Sequence, residues 1–339
     1  MRGRGASLAG LALAAALAVP HPVEALQAVD DFGANPGALD LFVHAPSSLG
    51  ADGAMVVALH GCTQSAADFD DETGLAALAE AVPFVLLLPQ QRAANNAERC
   101  FNFFERGDNR PGEGESASIR NMIAYGVERF AVDPARIHVL GLSAGGSMTA
   151  VLMANYPELF RAGAVVAGTP FDCNRPTLLT SGPWWWLRMV VGEAAAASFA
   201  CGILGPNAID RSARDWGDAV RALHPTPPAR WPRVSLWHGD ADEVVDPANQ
   251  RELLEQWSDV HGIDTAPESR ELVGEAVRER HADAAGTTLI ESWTLADFPH
   301  ALAVDPDAEP EACGVAAEFL EPAELCTVRR VAAFWGLAP

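Results

Sequence analysis

The chain has 339 residues, 49% of them hydrophobic, and a formal net charge of −22 at pH 7. Its length, with no low-complexity tract or internal repeat, suits one large α/β domain as readily as two smaller ones. All 23 basic residues are arginine, and so acidic a balance argues against nucleic acid and anionic membrane surfaces as partners.

Residues 1–25 read as a secretory signal peptide. Arg2 and Arg4 precede the apolar run LAGLALAAALAV, which is followed by Pro20, Pro22 and a small-residue site at Val23-Glu24-Ala25. The run is too short and too Ala-rich to span a bilayer, and no cysteine follows the site to carry a lipid. Cleavage near Ala25 would release a secreted, extracellular or periplasmic protein of residues 26–339. The six cysteines, Cys62, Cys100, Cys173, Cys201, Cys313 and Cys326, all lie in that part. An even count in an exported chain points to disulfides, although six cysteines allow fifteen pairings. None has C-x-x-C spacing and no histidine completes a zinc pattern, so no metal site is expected.

Along the mature chain, strand-like runs recur at LDLFVHAP, AMVVALHG, FVLLLPQ, IHVLGL, AGAVVAG, VSLWHG and TTLIESWTL. Helix-like stretches fall between most of them, at 74–82, 115–130, 144–156, 247–261 and 323–335. Alternating helices and fully apolar strands predict a mainly parallel sheet with helices on both faces. Ligands then bind beyond the carboxyl ends of the strands. Residues 172–232, rich in Pro, Trp and Cys, interrupt this rhythm and read as a cap-like insertion over the site.

IHVLGL runs into Gly141-Leu142-Ser143-Ala144-Gly145, and a helical stretch follows. A G-x-S-x-G spacing also arises by chance, but the strand-to-helix context is that of a nucleophile elbow, with Ser143 as nucleophile. The helix that follows aims its first N–H groups at any oxyanion formed there. In such an arrangement an acid and then a histidine follow the serine in the chain. After VSLWHG the acidic loop offers Asp240, Asp242, Glu243 and Asp246, and the pattern His-Gly-x-x-Asp-x-x-Val favours Asp242. His300 is the only histidine downstream of TTLIESWTL. His224 precedes the acid, and His261 and His281 read as lying in polar helix or turn surroundings. One oxyanion donor is expected at the Ala144 amide. The other is expected at Cys62, in the loop after VVALHG, with His60 holding that loop by hydrogen bonds.

These residues, with LHGCTQSAADF, RCFNFF, GEGESASI, VDPARIHVLGLSAGGSMTAVL, YPELFRAGAVVAG, RWPRVSLWHGDADEVVDPANQ and ESWTLADFPHA, resemble the secreted polyhydroxybutyrate depolymerase-type esterases. That α/β-hydrolase family shades into feruloyl and acetylxylan esterases. The likeness spans about residues 38–302. It implies an α/β-hydrolase fold, a serine carboxylic-ester hydrolase that needs no cofactor, and an ester substrate: a polyester, an oligomer or a plant cell-wall ester. It also implies Ser143 as nucleophile, Asp242 as acid, His300 as base and Cys62 as oxyanion donor. Resemblance and proximity along the chain pair Cys62 with Cys100 and Cys173 with Cys201, and local spacing pairs Cys313 with Cys326. The family commonly places glycine before the histidine and tryptophan two residues after it; here Pro299 and Leu302 stand there. GPWWWLRMVVGEAAAASF matches no family block, and Trp184, Trp185 and Trp186 within it are candidate substrate contacts. A non-catalytic polymer or glycan binder on the same scaffold is the competing class, and a peptidase a third. Oligomeric state stays open.

Overall fold

The computed structural model describes residues 25–175, 198–203, 208, 210–308 and 312–338. Its ten-stranded sheet comprises β1 (Gln27–Val29), β2 (Asp40–His44), β3 (Gly53–Leu59), β4 (Phe84–Gln90), β5 (Val132–Leu142), β6 (Ala162–Val166), β7 (Arg233–Gly239), β8 (Ser269–Val273), β9 (Ala276–Ala282) and β10 (Thr288–Leu295). The order across the sheet is β1-β2-β4-β3-β5-β6-β7-β10-β9-β8. The six central strands from β4 to β10 run parallel, and antiparallel strands flank them on both sides.

Period-2 alternation sends each central strand into two cores. On β3, Met55, Val57 and Leu59 face one core, while Ala54, Val56 and Ala58 face the other. The first is covered by α3 (Gly114–Phe130), α4 (Ala144–Asn155), α5 (Ala213–Arg221) and α6 (Ala248–His261), the second by α1 (Ala66–Thr73), α2 (Leu75–Ala81) and α7 (Thr327–Trp335). The fold is thus an α/β-hydrolase sandwich of helices around a mostly parallel sheet.

Several elements depart from expectation. The helix expected at 323–335 begins only at Thr327, because Leu320–Pro322 form a short strand, β12, pairing in parallel with β11 (Leu302–Val304). Strand β5 starts at Val132, ahead of its apolar run. Val132 pairs with Gly53, and 133–136 bulge out before pairing resumes at Ile137. Helix α1 carries Asp68, Asp70, Asp71 and Glu72 and has no clear apolar period; a capping box between Ser65 and Asp68 starts it. His281 sits buried on β9 rather than in a turn. Within the described part of 172–232, α5 lies against α6, where the buried Trp216 Nε1 donates to Glu252 Oε2 at 2.6 Å.

Three disulfides form: Cys62–Cys100, Cys173–Cys201 and Cys313–Cys326. Among the described residues no helix is long and apolar enough to cross a membrane.

Candidate active site

Four loops meet at the carboxyl edge of the central strands, after β3, β5, β7 and β10. At the end of β5 the chain turns so sharply that Ser143 takes φ 58° and ψ −119°, a region that side-chain-bearing residues rarely occupy. Two glycines make the turn possible. A Cβ on Gly141 would lie 2.3 Å from the Gly145 carbonyl carbon, and one on Gly145 would lie 2.2 Å from Leu59 O. The Ser143 N–H donates to Val166 O at 2.9 Å, which ties the elbow to β6. Ala144 opens α4, so its N–H is among the first-turn donors that have no partner within the helix.

The loop after β3 is built around His60. Its Nδ1 lies 2.7 Å from Gly61 O, so Nδ1 carries the hydrogen and donates. Nε2 therefore accepts, receiving the Gln91 N–H at 3.1 Å. Burial lowers the His60 pKa to about 4, so the ring stays neutral in this role. On either side of Cys62 the amides are engaged: Gly61 N–H with Gln64 Oε1 at 2.9 Å, Thr63 N–H with Glu98 O at 2.6 Å. Gln91 in turn donates through Nε2 to Glu115 Oε1 at 2.5 Å and to Cys100 O at 3.0 Å. Burial pushes the Glu115 carboxyl up to about 8, and the neighbouring Asp108 charge adds to the rise.

Beyond β7 and β10 the acid and histidine loops are stitched together. Gly239 lets them approach, since a Cβ there would lie 2.1 Å from Phe298 O. Asp240 N–H donates to Leu295 O at 3.0 Å, and its Oδ1 accepts the Asp297 N–H at 2.6 Å. The carboxylate that reaches His300 is that of Asp242, with Oδ2 2.7 Å from Nδ1. Oδ1 of Asp242 accepts the N–H groups of Val244 and Val245, both at 2.8 Å. A second imidazole, which the sequence reading did not single out, also meets Oδ2: His238 Nε2 lies 3.1 Å from it and 3.0 Å from Val245 O. Burial alone would raise the Asp242 pKa, but hydrogen bonds from His238 and His300 outweigh it and hold the carboxyl far below the usual range.

Ser143, Ala144, Cys62 and His300 line one cavity of about 380 Å³. Phe103, Phe104, Ile203, Val244 and Val245 supply apolar walls. Leu302, where the family commonly has tryptophan, is fully buried in β11 and takes no part. The aromatic ring beside His300 is instead Phe319, edge-on at 6.0 Å and 78°. Trp184, Trp185 and Trp186 lie outside the described residues. Among the described residues no three or more His, Cys, Asp or Glu side chains group in a way that could hold a metal ion.

Residues 39–178 match the family described as esterase PHB depolymerase. The poly(3-hydroxyalkanoate) depolymerase C of Paucimonas lemoignei is 37% identical over 315 residues, covering 93% of this chain and 71% of that protein. A feruloyl esterase B of Neurospora crassa is 32% identical over 259 residues, 76% of this chain and 81% of its own length. Among solved structures, an acetyl xylan esterase from Aspergillus awamori superposes with a TM-score of 0.71 over 93% of this chain and all (100%) of that one, at 23% identity, a likeness of fold.

Proposed function

Since the chain belongs to the esterase PHB depolymerase family, whose members are carboxylic-ester hydrolases, we propose that it is a secreted serine esterase acting on poly- or oligo-(3-hydroxybutyrate)-type esters. Signal-like residues 1–25 and three disulfides support export. The observation that carries the catalytic reading is the 2.7 Å bond from His300 Nδ1 to Asp242 Oδ2, beside a cavity that His300 shares with Ser143.

Because Nδ1 donates to the carboxylate, Nε2 is the unprotonated nitrogen of a neutral His300 and can take the Ser143 proton. Ser143 Oγ then forms a bond to the ester carbonyl carbon. The resulting oxyanion accepts from the Ala144 and Cys62 N–H groups, Cys62 being the amide left between the two engaged ones. As the tetrahedral adduct collapses, the carbon–alcohol bond breaks and His300 gives its proton to the departing oxygen. Water, deprotonated by His300, attacks the acyl-serine; the bond from the acyl carbon to Ser143 Oγ then breaks, His300 returns the proton to that oxygen, and the acid leaves. Asp242 fixes the imidazole tautomer and stabilises the imidazolium at both stages.

A feruloyl or acetylxylan ester is the second reading, favoured by the similarity to the Neurospora enzyme and by the phenylalanine-lined cavity. A hydrolysis panel separates the two: polyhydroxybutyrate film, hydroxybutyrate oligomers, methyl ferulate, acetylated xylan and a peptide amide. Release of 3-hydroxybutyrate from oligomer or film at rates well above those on the aryl and sugar esters supports the first. A preference for methyl ferulate or acetylated xylan overturns it.

A further inference from the structure

We infer that Phe319 forms the subsite for the departing alcohol and selects a branched, apolar one. The inference rests on the esterase reading above. Phe319 occupies the second corner of a two-residue turn. Ala317 and Leu320 exchange both backbone hydrogen bonds across it, each at 3.1 Å, and Phe319 has φ +67°. Glycine or asparagine is the ordinary residue at such a corner, and a bulky side chain there is strained. The ring's position is what that strain secures.

Backbone register dictates where the ring goes. β11 begins two residues after His300, β12 begins directly after Phe319, and the two strands pair with Leu302 opposite Leu320. The Leu302 N–H also donates to Phe319 O at 2.9 Å. The Cys313–Cys326 disulfide closes the loop that carries the turn. The ring therefore stands against the His300 imidazole and remains half-buried.

Phe319, Val244 and His300 border two depressions at once. One is the cavity that holds Ser143; the other, of about 400 Å³, continues past His300 along Pro299 and Ala301 and is also lined by Glu243, Glu318 and Glu321. In ester cleavage the alcohol oxygen must come within hydrogen-bond reach of His300 to receive its proton. The carbon attached to that oxygen is then brought beside the groups flanking the imidazole, and Phe319 and Val244 present an apolar wall there. A secondary alcohol with a methyl branch covers such a wall, whereas a small primary alcohol leaves most of it uncovered.

Two esters with the same acyl group test this: ethyl (R)-3-hydroxybutyrate and the methyl ester of the linear (R)-3-hydroxybutyrate dimer. With Phe319→Ala, kcat/KM on the dimer ester is expected to fall about tenfold or more, and on the ethyl ester by no more than about threefold. The rate of deacylation, after the alcohol has left, should not change. Phe319→Gly should show the same selective loss with an equal or higher Tm, because glycine accepts a positive φ; Phe319→Leu should restore part of the dimer rate. Equal losses on both esters, or a slowed deacylation, would mean that the ring acts on His300 and overturn the inference; so would an unchanged dimer rate. A wild-type enzyme that cleaves neither ester would instead remove the hydroxybutyrate-ester reading on which the inference rests.

Discussion

The serine at the end of β5 is held in a backbone conformation costing about 1–3 kcal/mol, and the surrounding strands leave it no alternative. Ser143→Ala should retain the Tm while kcat falls about 10⁴-fold or more; a variant with more than a few per cent of the original rate would sink the proposed mechanism. Asp242→Asn should lose a comparable factor. Asp240→Asn should leave turnover nearly intact, because Asp240 holds the Asp297 amide and not the imidazole. Reversal of those two results would show the acid to be misassigned. The positions proposed as elbow, acid and base could be picked out of the sequence because each stands in a short local pattern just past a strand, and the structure brings His300 to Asp242 and into one cavity with Ser143. His238 could not be picked out. It belongs to the same His-Gly-x-x-Asp pattern, but only the turn through 240–245 brings its Nε2 to Asp242 Oδ2. Losing a hydrogen bond to a buried charge typically costs about 1.5–3 kcal/mol. His238→Ala should therefore reduce kcat by about tenfold or more with little change in KM, and His238→Gln, which keeps a donor, should recover part of it. Unchanged kcat in the alanine variant would reduce His238 to a packing role.

Elements were legible in proportion to how apolar their periodicity is. The fully buried central strands stand out as continuous hydrophobic runs, and the helices between them follow. The β8–β9 hairpin does not, because its cross-strand pairs are charged: Arg278 and Arg280 meet Glu271 at 3.2 and 2.8 Å, and Arg270 meets Glu279 at 3.4 Å. Nor does sequence period reveal what α3 does at its start, where Glu115 is buried and bonds the Gln91 side chain and, at 2.8 Å, the Asn102 amide. Its pKa is raised from 4.5 to about 8, so the folded state holds a proton that the unfolded state gives up. Stability from this group is complete below pH 4.5 or so and is lost as pH rises toward 8. Measured Tm should thus decline between pH 5 and pH 8, and Glu115→Gln should flatten that decline. An identical slope in the two proteins would assign the pH dependence elsewhere.

At the scale of the whole molecule, the fold class followed from alternating elements, whereas the contents of the site mouth depended on loops packing far from their neighbours in sequence. Phe319 reaches His300 only through the β11–β12 pairing, and no spacing in the chain announces it. The charge of −22 acts on every approaching ligand. A hydroxybutyrate dimer with a free carboxylate should be cleaved more slowly than its methyl ester at low ionic strength. Added salt should narrow the gap, since the Debye length shrinks to roughly 10 Å at 0.1 M. The neutral ester should respond little; salt-independent rates on both would show that the field does not reach the site.

The disulfides bear on how the protein has to be produced. Cys62 and Cys100 both line the cavity, Cys201 lies two residues before Ile203 on its wall, and Cys313–Cys326 brackets Phe319. None of the six cysteines lies on a strand of the sheet. Covalent closure is thus spent on the mouth of the enzyme and not on the strands of its sheet. Material made in a reducing cytoplasm should consequently give a far-ultraviolet circular dichroism spectrum close to that of the oxidised protein, yet turn over slowly. Purity and secondary structure would both pass such a batch, and only an activity titration would reject it.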